Sequence, residues 1–150
     1  MIIKKENQKE ILRKLDIIYN PFIKTRTSKN ASVMRIECDS KFTRIDFVYH
    51  TSSKYINGGW VQMNGTCYIK PINSEAKLPL IKAVNIPMAP NKHHFKTVKD
   101  VLYYTLYFPP LPSNTNAIDI IELDTNDPTY FNFYNVSIDR IVNKVIDVSN

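Results

Sequence analysis

The chain has 150 residues, of which 43% are hydrophobic, enough for one domain to bury a core without metal or disulfide staples. Its 3 glycines, set against 9 prolines, 9 tyrosines and 7 phenylalanines, argue against a Gly-rich phosphate loop or a doubly wound nucleotide fold and favour strands. The formal charge of +6 is concentrated in residues 1–29, where eight bases outnumber three acids; the rest of the chain carries only +1.

The first residues, Met1-Ile2-Ile3 followed by Lys4 and Lys5, contain no apolar run of the length a secretory leader needs. No stretch approaches the length of a transmembrane helix. The expectation is a soluble, cytoplasmic protein as written, or a periplasmic or exported one if the N-terminus has been trimmed. Residues 5–18 read as a short amphipathic helix, with Ile11, Leu12, Leu15 and Ile18 at helical spacing. Asn20-Pro21 ends it, because a residue preceding proline is pushed out of the α region. A rival reading makes Ile17 to Ile23 the first strand. Residues 1–19 are thus expected to form a basic arm, and 20–150 a separate β-domain. In the arm, Lys4, Lys5, Lys9, Arg13 and Lys14 form a candidate anion-binding set for nucleic acid or another anionic surface. The plainer alternative is a solvated helix face that aids solubility.

Residues 24–31 read as a polar linker. From Ser32 the period becomes two. Met34, Ile36 and Cys38 are expected on one face, and Ile45, Phe47 and Tyr49 on one face of the next strand, with Asp39-Ser40 as the turn between them. After a polar loop ending in Gly58-Gly59, residues 60–63 and 66–69 flank Asn64-Gly65, a dipeptide suited to a type I′ hairpin turn. Residues 77–86 form an apolar run whose Pro79 suggests a sheet edge. Residues 99–108 alternate, with Leu102, Tyr104, Leu106 and Phe108 on one side and Val101, Tyr103, Thr105 and Tyr107 on the other. Pro109-Pro110-Leu111-Pro112 ends that strand, since proline cannot donate to a ladder. It reads as a rigid crossover between sheets in preference to a polyproline ligand. Residues 117–123 and 131–138 complete the strands, and 139–148 read as a closing helical turn in preference to a further strand. Seven or eight short strands, each with one apolar face to hide, specify two packed antiparallel sheets: a mostly β chain, an immunoglobulin-like antiparallel β-sandwich with a short N-terminal helix.

Few residues suggest chemistry. The two cysteines, Cys38 and Cys67, lie in expected strands with no CxxC and no Cys/His spacing for zinc, and read as buried thiols. His93-His94 is the one histidine pair, and neighbours on a strand point to opposite faces. No metal or cofactor is expected. There is no G-x-S-x-G elbow, and Asp119 and Glu122 face opposite ways, so no catalytic residues are assigned and no enzyme is expected. Tyr55, Trp60, Tyr103 and Tyr107 suggest an aromatic binding surface, with Tyr103, Tyr107 and Tyr55 as the candidate patch. The alternative for Trp60 is packing in the core.

Leu106 to Pro112 (LYFPPLP), followed by Ala117 to Glu122 (AIDIIE), resembles a β-sandwich domain of Bacteroidota proteins in which a strand ending in FPPLP precedes one reading like IDFIE. Phe131 to Ile138 matches that domain's aromatic-rich last strand, and Asn20-Pro21-Phe22-Ile23 with Arg26 its opening, so the resemblance spans residues 20–138. It implies an immunoglobulin-like accessory domain and transfers no catalytic residue. The resulting expectation is a non-catalytic binding or protein-interaction module whose partner is another protein. The alternative is an accessory protein of nucleic acid or ribonucleoprotein that uses the basic arm.

Overall fold

The computed structural model describes residues 15–138. Within them the chain is entirely strands and loops. One five-stranded sheet has the order β1 (Asp16–Tyr19), β3 (Ala31–Cys38), β4 (Thr43–His50), β10 (Val101–Phe108), β8 (Lys82–Val84). The other has the order β2 (Ile23–Arg26), β12 (Phe133–Ser137), β11 (Ala117–Ile121), β6 (Tyr68–Pro71), β7 (Leu78–Pro79). A two-stranded ribbon, β5 (Trp60–Val61) with β9 (His93–His94), sits apart. All strand pairs within these sheets are antiparallel.

The two large sheets pack face to face. Ile45 and Phe47 of β4, and Leu102, Tyr104, Leu106 and Phe108 of β10, are buried from one side; Ile118 and Ile120 of β11, with Phe133 and Val136 of β12, meet them from the other. Phe47 sits at the centre, its ring 4.9 Å from Tyr104 in the same sheet and 5.9 Å from Phe133 across the gap. Period-two alternation therefore translates directly into a two-sheet core.

The sides of the sandwich are built in a matching way. β1 and β2 are edge strands of opposite sheets, joined by Asn20-Pro21-Phe22, with Asn20 at φ 46°. On the far side β7 and β8 are again edge strands of opposite sheets, joined by Leu80-Ile81. Proline near each switch suits an edge, where a missing N–H leaves no gap in a ladder. The 109–116 crossover also changes sheets, from β10 to β11, and its Pro109 carbonyl accepts the Thr43 hydroxyl at 3.0 Å.

Several expectations are corrected. Residues 16–18, placed at the end of the N-terminal helix, form strand β1 together with Tyr19, because Ile17 and Ile18 pair with Glu37 and Ile36 and tertiary pairing outweighs a short helical pattern. The remainder of that helix, and the closing one at 139–148, lie outside the described residues. Part of the 24–31 linker is strand β2, hydrogen-bonded to β12. Met34 is exposed, although Ile36 and the preceding Val33 are buried, because the register slips between Val33 and Arg35. A bulge there turns the alternation over. The Asn64-Gly65 hairpin does not form. β5 pairs with β9, and β6 pairs with β11 and β7. Asn64-Gly65 is instead a local turn in which the Asn64 side chain accepts the Thr66 amide at 3.0 Å. The 77–86 run is two short strands in different sheets.

Candidate functional site

At the end of the sandwich where β4 finishes and β10 begins, three loops converge: β2–β3, β4–β5 and β11–β12. They enclose a cleft of about 330 Å³. Tyr49, Tyr55, Trp60 and Tyr130 line it with aromatic surface, and Ser28, Asn30, Ser52, Gln62 and Thr129 with neutral polar groups. Lys54 and Glu122 are its two charged residues.

The Trp60 wall rests on backbone that only glycine adopts easily. Gly58 and Gly59 have φ of 85° and 77°. A Cβ on Gly58 would lie 2.5 Å from the Thr97 carbonyl oxygen and 2.9 Å from the Thr51 side chain; one on Gly59 would lie 3.0 Å from the Tyr55 ring. The loop folds back through a bond from the Gly58 amide to the Tyr55 carbonyl at 3.0 Å, so the Tyr55 ring lies against Gly59. β5 then pairs with β9, extended by a bond from the Phe95 amide to the Gly59 carbonyl at 3.0 Å. Val61 and Met63 point inward and are buried. Alternation leaves Trp60 and Gln62 side by side facing the cleft. Trp60 is 42% exposed and Tyr55 54%. Trp60 therefore lies at the surface and not in the core. The Lys92 ammonium stands 4.2 Å from the centre of the Trp60 ring system.

The floor is rigid. Tyr49 is buried between Phe95, at 5.4 Å, and Phe131, at 5.5 Å. Its phenol is pushed up, first by burial and then by Tyr55. The Glu122 carboxyl accepts the Asn64 amide at 3.0 Å and the Phe131 amide at 2.9 Å. Burial raises its pKa, opposed by those two bonds. Glu122 thus staples the turn after β5 to the β11–β12 loop. By contrast, the side-chain oxygen of Gln62 is buried without a hydrogen-bond partner among the described residues.

Of the residues singled out in the sequence, Tyr103 and Tyr107 lie at alternate positions on the outer face of the first sheet, while Tyr55 lines the loop-end cleft. On that face lies a groove of about 470 Å³ that includes Tyr19, Met34 and Tyr103. Its charges are mutually compensated: Arg35 pairs with Glu37 and Asp46, Arg44 pairs with Asp46, and the Thr105 hydroxyl donates to Asp46 at 2.7 Å. The Arg44 and Lys82 cations each lie 5.9 Å from the Tyr107 ring. Lys4, Lys5, Lys9, Arg13 and Lys14 lie outside the described residues. His93 and His94 are exposed on β9, and no group of acidic, histidine or cysteine side chains among the described residues is arranged to hold a metal. Cys67 is buried, its thiol pushed well up by burial, and it is not joined to Cys38. No helix among the described residues is long and apolar enough to cross a membrane.

Sequence reasoning missed Asn132, which is wholly buried between Phe131 and Phe133 and bonded to both sides of the β11–β12 loop. Asn132 precedes β12, and alternation with Phe133 would turn it outward, so no local pattern marked it. Sequence reasoning missed Gln62 too, whose place depends on loops distant in sequence. No family model, curated protein or solved structure matches the chain.

Proposed function

We propose that the chain is a non-catalytic binding module of the immunoglobulin-like sandwich kind, with its ligand seat in the loop-end cleft. The observation that carries this reading is Trp60, held half outside the protein by a Gly58-Gly59 turn that most residues could not adopt. A large aromatic side chain fixed at the mouth of a concave polar cleft is a recurrent form of recognition surface. Loops gathered at one end of a rigid sandwich are a common way to present one. Support for the non-catalytic part comes from Glu122, the one carboxylate in the cleft, whose two oxygens each accept a backbone amide. It is placed to hold loops together.

Trp60 is the only tryptophan in the sequence, so its fluorescence reports on the cleft alone. Titration with a panel of sugars, amines, short peptides and phosphate, with amide NMR spectra recorded in parallel, tests the proposal. The expected result is a saturable change whose shifted amides cluster at residues 28–30, 52–62 and 128–131, with the ligand recovered unchanged. Chemical turnover, or shifts gathered on the Tyr103 face instead, overturns it.

A further inference from the structure

The cleft's own chemistry narrows its ligand, granted that the cleft is a binding site at all. We infer that it takes a saccharide ring, lying against the aromatic wall with a hydroxyl on Gln62.

Size comes first. A cleft of about 330 Å³ is near the lower end of small-molecule sites, roughly 300–1,000 Å³. It suits one or two rings and not a folded surface.

Charge comes next. Lys54 is the one cation lining the cleft, and no arginine accompanies it, so the site has no fork for a carboxylate or phosphate. The carboxylate of Glu122 already accepts the Asn64 and Phe131 amides and offers little to a cation. The best cation seat on the wall, the Trp60 ring, already has the Lys92 ammonium at 4.2 Å. A cationic ligand would have to displace Lys92 and approach Lys54. The charges thus select against a cationic ligand and offer an anion no bidentate partner.

What remains is a set of hydroxyls and side-chain amides beside aromatic rings. A pyranose offers the complement: a C–H face for the Tyr55 ring, and hydroxyls around its rim. Gln62 sharpens the match. Its buried oxygen has no donor within the described protein, and leaving such an acceptor unpaired costs about 1–3 kcal/mol. That oxygen is screened from solvent in the unliganded protein, so a turn of the Gln62 side chain, which lines the cleft, brings it to a sugar hydroxyl that supplies the donor. The hydroxyl also accepts, so it suits either orientation of the amide.

The test uses the whole chain and four probes. These are a set of methyl pyranosides and their disaccharides in the gluco, manno, galacto and N-acetylglucosamine series, tetramethylammonium chloride, a short peptide and inorganic phosphate. Trp60 fluorescence and amide NMR shifts are the readouts. At least one saccharide is expected to bind in the millimolar range or tighter, with shifts at residues 52–62. Gln62→Leu, which removes no bond inside the protein, weakens that binding about fivefold or more. Tyr55→Ala weakens it at least as much, and Tyr55→Phe restores it; circular dichroism and the urea midpoint show that each variant is folded. A response to the ammonium, peptide or phosphate probe and to no saccharide overturns the saccharide assignment and leaves the cleft as a binding site. No response to any probe removes both. Saccharide binding untouched by Gln62→Leu and Tyr55→Ala also overturns the proposal.

Discussion

Asn132 and Glu122 hold each other's stretch of backbone. The Asn132 side-chain oxygen accepts the Glu122 amide at 2.8 Å, and the Glu122 carboxyl accepts the amide of Phe131, next to Asn132, at 2.9 Å. The Asn132 side-chain nitrogen donates to the Leu123 and Thr125 carbonyls at 2.7 and 2.8 Å. The Thr27 hydroxyl completes the set, donating to the Tyr130 carbonyl at 2.6 Å and accepting the Asn132 amide at 2.9 Å. The loop that forms one wall of the cleft is tied down from both sides.

Asn132→Ala strips the side-chain partner from the buried Glu122 amide and the Thr125 carbonyl, while the Leu123 carbonyl keeps the Thr125 amide at 2.8 Å. Each such group costs on the order of 1–3 kcal/mol, and partial access of water to the loop limits the total. The expected loss is about 3 kcal/mol of unfolding free energy, read from the urea midpoint at unchanged slope.

Glu122 sets a pH dependence of definite sign. Its folded pKa is raised by burial, so the folded state binds its proton more tightly than the unfolded state does. Its contribution is fully present below the unfolded value of about 4.3 and is lost as pH rises through the folded pKa. Asp100 and Asp127, both lowered chiefly by backbone amides, act in the opposite sense and lose their contribution as pH falls. The difference in stability between wild type and Glu122→Gln isolates the Glu122 part. That difference should shift against the wild type as pH rises from about 4 towards neutrality. A carbon-13 titration should place the Glu122 midpoint above the ordinary glutamate value; a midpoint at or below it would contradict the burial argument.

Gly58→Ala forces a Cβ to within 2.5 Å of the Thr97 carbonyl at a positive φ. Strain of this kind costs on the order of 1–3 kcal/mol, and the loop will move to relieve it. Lower stability and an altered Trp60 emission maximum should appear together, because the same turn holds the indole.

Tyr104→Phe is expected to leave stability unchanged or raise it slightly. The Tyr104 hydroxyl is buried with no hydrogen-bond partner among the described residues, while its ring stacks on Phe47 at 4.9 Å. The substitution keeps the ring and removes a polar atom that gains nothing from burial. A clear loss at the urea midpoint would reveal a partner for that hydroxyl.

The core was largely legible. Ile45, Phe47 and Tyr49, with Leu102 to Phe108 at every second position, read as buried faces and are buried. Pro79 marked an edge and the Pro109–Pro112 segment a change of sheet, because proline's missing donor has the same meaning in any context. What failed was partner choice. Asn64-Gly65 has the local chemistry of a hairpin, but β5 pairs with β9 and β6 with β11 and β7, and pairing within the sheets outweighs a turn preference. Met34 failed for a related reason, since a bulge depends on the facing strand. The cleft was half visible. Tyr55 and Trp60 were noted, but Gln62, Glu122 and Asn132 gain their roles only when three loops meet.

The two short sheet-switching links, Asn20-Pro21-Phe22 on one side and Leu80-Ile81 on the other, turn the sandwich into something closer to a flattened sleeve. Its flanks are stitched by covalent chain, and the edge strands they join run only two to four residues, too short to template another sheet. Lengthened loops, grafted sequences or a circular permutant's new termini would disturb this molecule least at its two open mouths. The mouth that carries Trp60 is therefore the place where new binding preferences would be easiest to engineer.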